Sequence, residues 1–186
     1  MEVFFMMIAL FFVILLLPHI VFLFKRILLC IKLKMVCKRQ GFTLIPTHFF
    51  WFLGNFNGGR CDFYVQTSEQ VYSVKLCGVP KKTLIDFVDS TQYAKRSLRF
   101  HLASTFRYVV PRSKRKKAFD FSYHCPEDLR SARIIPIILM NPMPLNVTYA
   151  GKGIGNGDYI VEGYFYNRTG FLQLLKTKNE SNKFSV

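Results

Sequence analysis

The chain has 186 residues, with 26 Lys and Arg against 11 Asp and Glu and a formal net charge of +15. That length allows one small domain beside an apolar segment, and that charge suits a polyanion, either a membrane leaflet or a nucleic acid. Five cysteines, Cys30, Cys37, Cys61, Cys77 and Cys125, form no CxxC pair, so the ligand spacing of structural zinc sites is missing and the thiols read as reduced groups in apolar surroundings.

Val3–Phe24 contains no formal charge. A helix of that length spans about 33 Å at 1.5 Å per residue, enough to cross a hydrocarbon core of about 30 Å. A cleaved signal peptide would want basic residues ahead of a shorter run and a small-residue cleavage site. Here Glu2 precedes the run and Lys25 and Arg26 follow it. The sequence predicts an uncleaved transmembrane anchor over 1–24, kinked at Pro18, with His19 as a neutral imidazole near the kink. Lys25, Arg26, Lys32, Lys34, Lys38 and Arg39 all follow the span, which predicts an outside N-terminus and a cytoplasmic C-terminal domain at the cell membrane. Three glycosylation sequons, at Asn146, Asn167 and Asn179, would matter only with the orientation reversed.

Residues 25–40 read as a basic juxtamembrane helix whose apolar residues do not share one clean face, so that its lysines snorkel along the leaflet. Gly41 is the expected stop. Between Glu2 and Asp62 there is no carboxylate at all, and the six cations of this stretch are candidate anion-binding residues.

From 41 to 177 the pattern changes to β. Phe42–Ile45 reads as a short strand ended by Pro46. The aromatic cluster His48–Leu53 reads as domain core, with an interfacial patch as the alternative. Asn55–Gly59 is a turn cluster. Asp62–Thr67 and Val71–Cys77 form a hairpin with its loop at Thr67–Gln70, and Thr83–Val88 with Tyr93–His101 form a second. The run containing Arg112, Lys114, Arg115, Lys116 and Lys117 is either a solvated loop or an anion-contacting one. Ala118–Tyr123 reads as a strand and Pro126–Arg133 as one helical turn. Arg133–Met140 is a buried strand that Pro136 places at an edge or a bulge. Leu145–Tyr149 and Tyr159–Tyr166 read as strands across the flexible loop Gly151–Gly157, whose glycine spacing fits no nucleotide loop. Thr169–Lys176 closes the domain as a short helix and 178–186 is a frayed polar tail. The fold class expected is α+β: a transmembrane helix, then a small β-rich domain of hairpins with one leading and one closing helix.

One constellation carries possible chemistry. Arg60–Val65 followed by Val71–Leu76 resembles the core of the PD-(D/E)XK nuclease superfamily, and most nearly the nuclease-related domain found on some membrane-anchored bacterial proteins. In that pattern an Asp opens one strand and a Glu-x-Lys lies on its hairpin partner. The resemblance implies that Asp62 is the first acid and Lys75 the lysine, with Mg²⁺ held beside a scissile phosphate. Ser73 stands where the family has its second acid, and Asp158 and Glu162 are the possible substitutes. A β-hairpin over 83–101 also stands where the superfamily has a helix. No GxSxG, HExxH or Cys–His spacing occurs, and His48, His101 and His124 are scattered; His48, near Pro46 and Trp51, reads as structural.

The reading that results is a membrane-anchored basic domain, leaning non-catalytic, that binds lipid headgroups or nucleic acid. It needs no small-molecule cofactor and no metal, Mg²⁺ entering only under the nuclease alternative. A Mg²⁺-dependent nuclease using Asp62 and Lys75 is the second reading, and a membrane scaffold docking a protein through its aromatic face is the third.

Overall fold

One uninterrupted helix, α1 (Glu2–Gln40), leads the chain. The computed structural model describes residues 2–53, 61–78, 83–87, 92–97, 116–117, 129 and 133–183. The expected anchor and juxtamembrane helix are therefore a single element. It stops at Gly41, whose φ of 69° is the left-handed conformation that glycine adopts without a Cβ clash. The Phe42 amide closes the end by donating to the Cys37 carbonyl at 2.9 Å. Among the described residues no helix is long and apolar enough to cross a membrane.

The second half of α1 has one buried face, which corrects the sequence expectation. Leu29, Leu33 and Cys37, four residues apart, are buried, while Ile27, Ile31 and Met35 stay exposed beside Lys34 and Lys38. Both faces carry aliphatic residues, so hydrophobicity alone shows no stripe; packing against the sheet chooses one.

The strands are β1 (Thr43–Pro46), β2 (Phe63–Gln66), β3 (Gln70–Cys77), β4 (Thr83–Phe87), β5 (Gln92–Ser97), β6 (Lys116–Lys117), β7 (Arg133–Met140), β8 (Asn146–Tyr149), β9 (Lys152–Gly153), β10 (Tyr159–Ile160) and β11 (Gly163–Asn167). A short 3-10 turn covers Trp51–Leu53 and a helix, α2, closes the fold at Arg168–Lys183. The first sheet has the order β1-β2-β3-β7-β11-β10 and the second β6-β5-β4-β8-β9. The two expected hairpins form, β2 with β3 and β4 with β5, both antiparallel; residues 88 and 98–101 of the second lie outside the described residues. At the first turn the Thr67 hydroxyl donates to the Gln70 carbonyl at 2.9 Å and accepts from the Gln70 amide at 3.2 Å.

Four expectations are corrected. Strand β7 is central, parallel to β3 on one side and to β11 on the other. Pro136 is tolerated there because the β11 ladder begins only at Ile137, so on that side its missing N–H breaks no bond. The run Tyr159–Tyr166 is two strands, folded back through Val161 and Glu162 at φ of 46° and 62°; a left-handed valine is rare enough that composition gives no turn signal. Strand β8 does not pair with that run but lies in the other sheet, where β9 folds back on it. Helix α2 continues to Lys183, past the expected stop at Lys176 and into the expected tail. It is capped by Asn167, whose side chain accepts from the Gly170 amide at 2.8 Å.

Alternation along β3 and β7 divides the interior. Val74, Leu76, Ile137 and Leu139 face α1 and α2, joining Leu29, Leu33, Trp51, Phe63, Phe171 and Leu175. Cys77, Ile138 and Met140 face the second sheet with Ile85, Phe87, Val147 and Phe165. The expected aromatic cluster splits: Trp51 is buried against Phe63, ring centroids 4.8 Å apart, while Phe49 and Phe50 are exposed. The turn at 55–59, the strand at 118–123, and all of 126–132 except the buried Leu129 lie outside the described residues.

Candidate functional site: a buried Asp–Lys pair

Asp62 stands immediately before β2. Its amide donates to the Val74 carbonyl at 2.8 Å, and its carbonyl accepts from the Thr47 hydroxyl at 2.7 Å. These bonds fix the backbone and aim the carboxylate at β3. There Oδ2 accepts the Leu76 amide at 2.7 Å and lies 3.5 Å from Lys75 Nζ, both side chains only 4% exposed. Burial pushes the Asp62 carboxyl above its ordinary range; the Lys75 ammonium, the Leu76 amide and His48 pull it back. Ser73, two residues before Lys75 and so on the same face of β3, is fully buried, and its hydroxyl has no hydrogen-bond partner among the described residues.

The hairpin thus brings together the two residues that the family resemblance singled out, but no further acid. Asp158 is exposed and accepts the Gly155 amide at 2.7 Å, closing its own loop. Glu162 is exposed at the β10–β11 turn. Among the described residues there is no group of three or more His, Cys, Asp or Glu able to hold a metal. The donors present do not fit Mg²⁺, which takes carboxylates and water in a near-octahedral shell: one carboxylate already serves an amide and an ammonium, and the position beside it is a serine.

The candidate anion-binding cations divide. Lys34, Lys38 and Arg39 are exposed, and Lys25 and Lys32 half-buried. Lys116 and Lys117 lie on β6, while Arg112, Lys114 and Arg115 fall outside the described residues. Arg26 is corrected: it is 1% exposed and turned inward, not toward an external anion. Its guanidinium lies 5.1 Å from the Phe22 ring centroid. A Cβ on Gly78 would stand 2.5 Å from Arg26 Nη2 and 2.3 Å from the Asn141 carbonyl oxygen, so only glycine admits the side chain here. Nε and Nη1 have no hydrogen-bond partner among the described residues. Burial pushes the Arg26 pKa down to about 10, against the opposing influence of Cys77 and Asp62. Sequence reasoning placed Arg26 among the surface cations. The missed signal is its spacing: Arg26, Leu29, Leu33 and Cys37 follow one another at three and four residues, on one face of the helix.

Cys30, Cys37, Cys61 and Cys77 are free thiols, and Cys125 lies outside the described residues. Burial pushes Cys37 up to about 11 and Cys77 up to about 12, so neither is a ready nucleophile. His48 is exposed, its Nδ1 3.0 Å from the Thr47 hydroxyl; His101 and His124 are outside the described residues. An open groove of about 440 Å³ lies where β7 extends past the start of β11, lined by Gln70, Tyr72, Arg133, Pro136, Tyr159 and Tyr164 among others. No protein-family model, curated protein or solved structure matches this chain.

Proposed function

We propose that the chain is a membrane-tethered, non-catalytic basic domain that binds an anionic partner, lipid headgroups or nucleic acid, at the cytoplasmic face of the membrane. The observation that carries the tether is the state of the first half of α1. From Phe4 to Phe24, thirteen large apolar side chains are exposed, and the first cation, Lys25, comes where the helix enters the core. Water is a poor solvent for such a surface, and a bilayer is the environment in which a helix apolar on every side is stable. Val3–Phe24 as a whole carries no charged side chain.

A second reading, nucleic acid as the partner, rests on distance. Lys34, Lys38 and Arg39 follow Phe24 by 10 to 15 residues, about 15–22 Å along an upright helix. Headgroup charge is screened over about 8 Å at physiological salt. These exposed cations therefore face the aqueous phase unless the helix leans strongly. A metal-dependent nuclease is not supported by the donors at Asp62 and Lys75, and no step is built on it.

The test uses the full chain reconstituted in bilayers. Carbonate extraction should leave it in the membrane, with the Arg112–Lys117 run open to trypsin from the cytoplasmic side; release by carbonate refutes the tether. Spin-labelled phosphatidylglycerol should be restricted more than phosphatidylcholine, and the preference should shrink with salt. Equal restriction of the two lipids, with steep salt-dependent binding of DNA or RNA instead, moves the partner to nucleic acid.

A further inference from the structure

The apolar helix leaves the domain at one end of the first sheet. Asn141 Nδ2 donates to the Lys25 carbonyl at 3.2 Å, and Arg26 packs beside Gly78. Lys25 and Arg26 are thus level with the C-terminal ends of β3 and β7. The aromatic segment reaches the same end. Pro46 pairs with Phe63, the Thr47 amide donates to the Asp62 carbonyl, and the Asp62 carboxylate accepts from Leu76, the next-to-last residue of β3. Phe49 and Phe50 come next, 84% and 56% exposed, their ring centroids 4.9 Å apart, while Trp51 turns back into the core. Leu145, 61% exposed, follows the end of β7 by five residues, its amide on the Thr83 carbonyl. These three side chains carry no polar atom. Tyr159 and Tyr164, also exposed, lie elsewhere, beside Ile137 in mid-strand, and carry hydroxyls suited to water.

We infer that Phe49, Phe50 and Leu145 form a second membrane contact, a rim that enters the interfacial layer of the same bilayer that α1 crosses. The inference rests on the tether proposed above and adds to it. A lone helix leaves the domain free to lean, whereas a rim beside it holds the strand ends against the leaflet. The occupant is lipid and not a protein partner, because the patch is continuous in level with the point where the apolar run begins. Aromatic rings are favoured at that depth, where the bilayer is part apolar and part wet.

The experiment uses the full chain in phosphatidylcholine vesicles carrying bromine on the acyl chains near the headgroup. Trp51 is the only native tryptophan and supplies a constant buried baseline, whose retention also certifies the fold. Phe49→Trp is read as added emission, with Leu10→Trp as the reference inside the run. Blue-shifted emission at position 49, quenched by shallow bromines, is expected. Quenching at 10 with water-like, unquenched emission at 49 overturns the rim and leaves the tether standing. No quenching at 10 overturns the tether, and the rim falls with it.

Discussion

Two buried cations lie near the same strand ends and are housed in opposite ways. Lys75 meets a carboxylate, and that carboxylate is itself held by the Leu76 amide. Arg26 has Phe22 against its guanidinium, and two of its nitrogens have no hydrogen-bond partner among the described residues. Pairing lets a strand carry a charge into the core with its cost partly offset. Arg26 meets the cost by position. It is the first residue of the stripe that continues through Leu29, Leu33 and Cys37, and its guanidinium tip occupies the space that Gly78 leaves open. The contrast predicts that cutting the pair damages the fold and that replacing the lone cation does not.

The largest expected effect comes from breaking the pair. Asp62→Ala takes away the buried acceptor of the Leu76 amide together with the carboxylate beside Lys75, and should cost about 3–5 kcal/mol, the usual loss on removing one partner of a buried pair. Urea unfolding of the detergent-held full chain, followed through Trp51 emission, measures it. Asp62→Leu combined with Lys75→Met should recover most of that loss; a double variant as unstable as the single one would show that neighbours of Lys75 other than Asp62 set the cost. The pair also has a pH signature. Burial raises the folded-state pKa of Asp62, so the folded chain takes up this proton more readily than the unfolded one. Stability relative to Asp62→Asn should therefore rise as pH falls through the folded-state value toward about 4, the ordinary carboxyl range.

Arg26→Met is the intermediate case and has the opposite sign. The guanidinium stays protonated at neutral pH, yet burial pushes its pKa from 12.5 to about 10, a net penalty of about 3 kcal/mol after Cys77 and Asp62 have offset part of the burial. Loss of the contact with Phe22 returns part of that. A net gain of about 1–3 kcal/mol is expected in the same urea experiment. A loss instead would mean that Nε and Nη1 find partners beyond the described residues, in water or in an anion.

The two cations also show how far the sequence could be read. Asp62 and Lys75 were legible because they sit on one hairpin, whose loop Thr67–Gln70 is marked by polar residues and whose register, Phe63 opposite Val74, is local. Arg26 was not, because its partners Gly78 and Asn141 lie 52 and 115 residues away in sequence, brought together by parallel pairing of β3 with β7 that no local pattern encodes. The same limit hid the central place of β7. The turn at Val161 and Glu162 was hidden for another reason: tertiary packing holds a buried valine in a conformation that its own preferences disfavour.

The smallest effect belongs to Ser73, between the two extremes because it is polar, buried and uncharged. Its hydroxyl sits on the Lys75 face of β3 with no partner among the described residues. A buried hydroxyl without a hydrogen bond costs about 1–3 kcal/mol by protein substitution data. Ser73→Ala removes that group and leaves only a small void, so stability should rise by about 1 kcal/mol or less. The sign is what matters. A rise places Ser73 with Arg26, as a polar group held in the core by packing. A fall of about 1 kcal/mol or more places it with Lys75, because the hydroxyl would then be serving the buried ion pair, and the position that holds an acid in the nuclease pattern would be a working part of the Asp62 site.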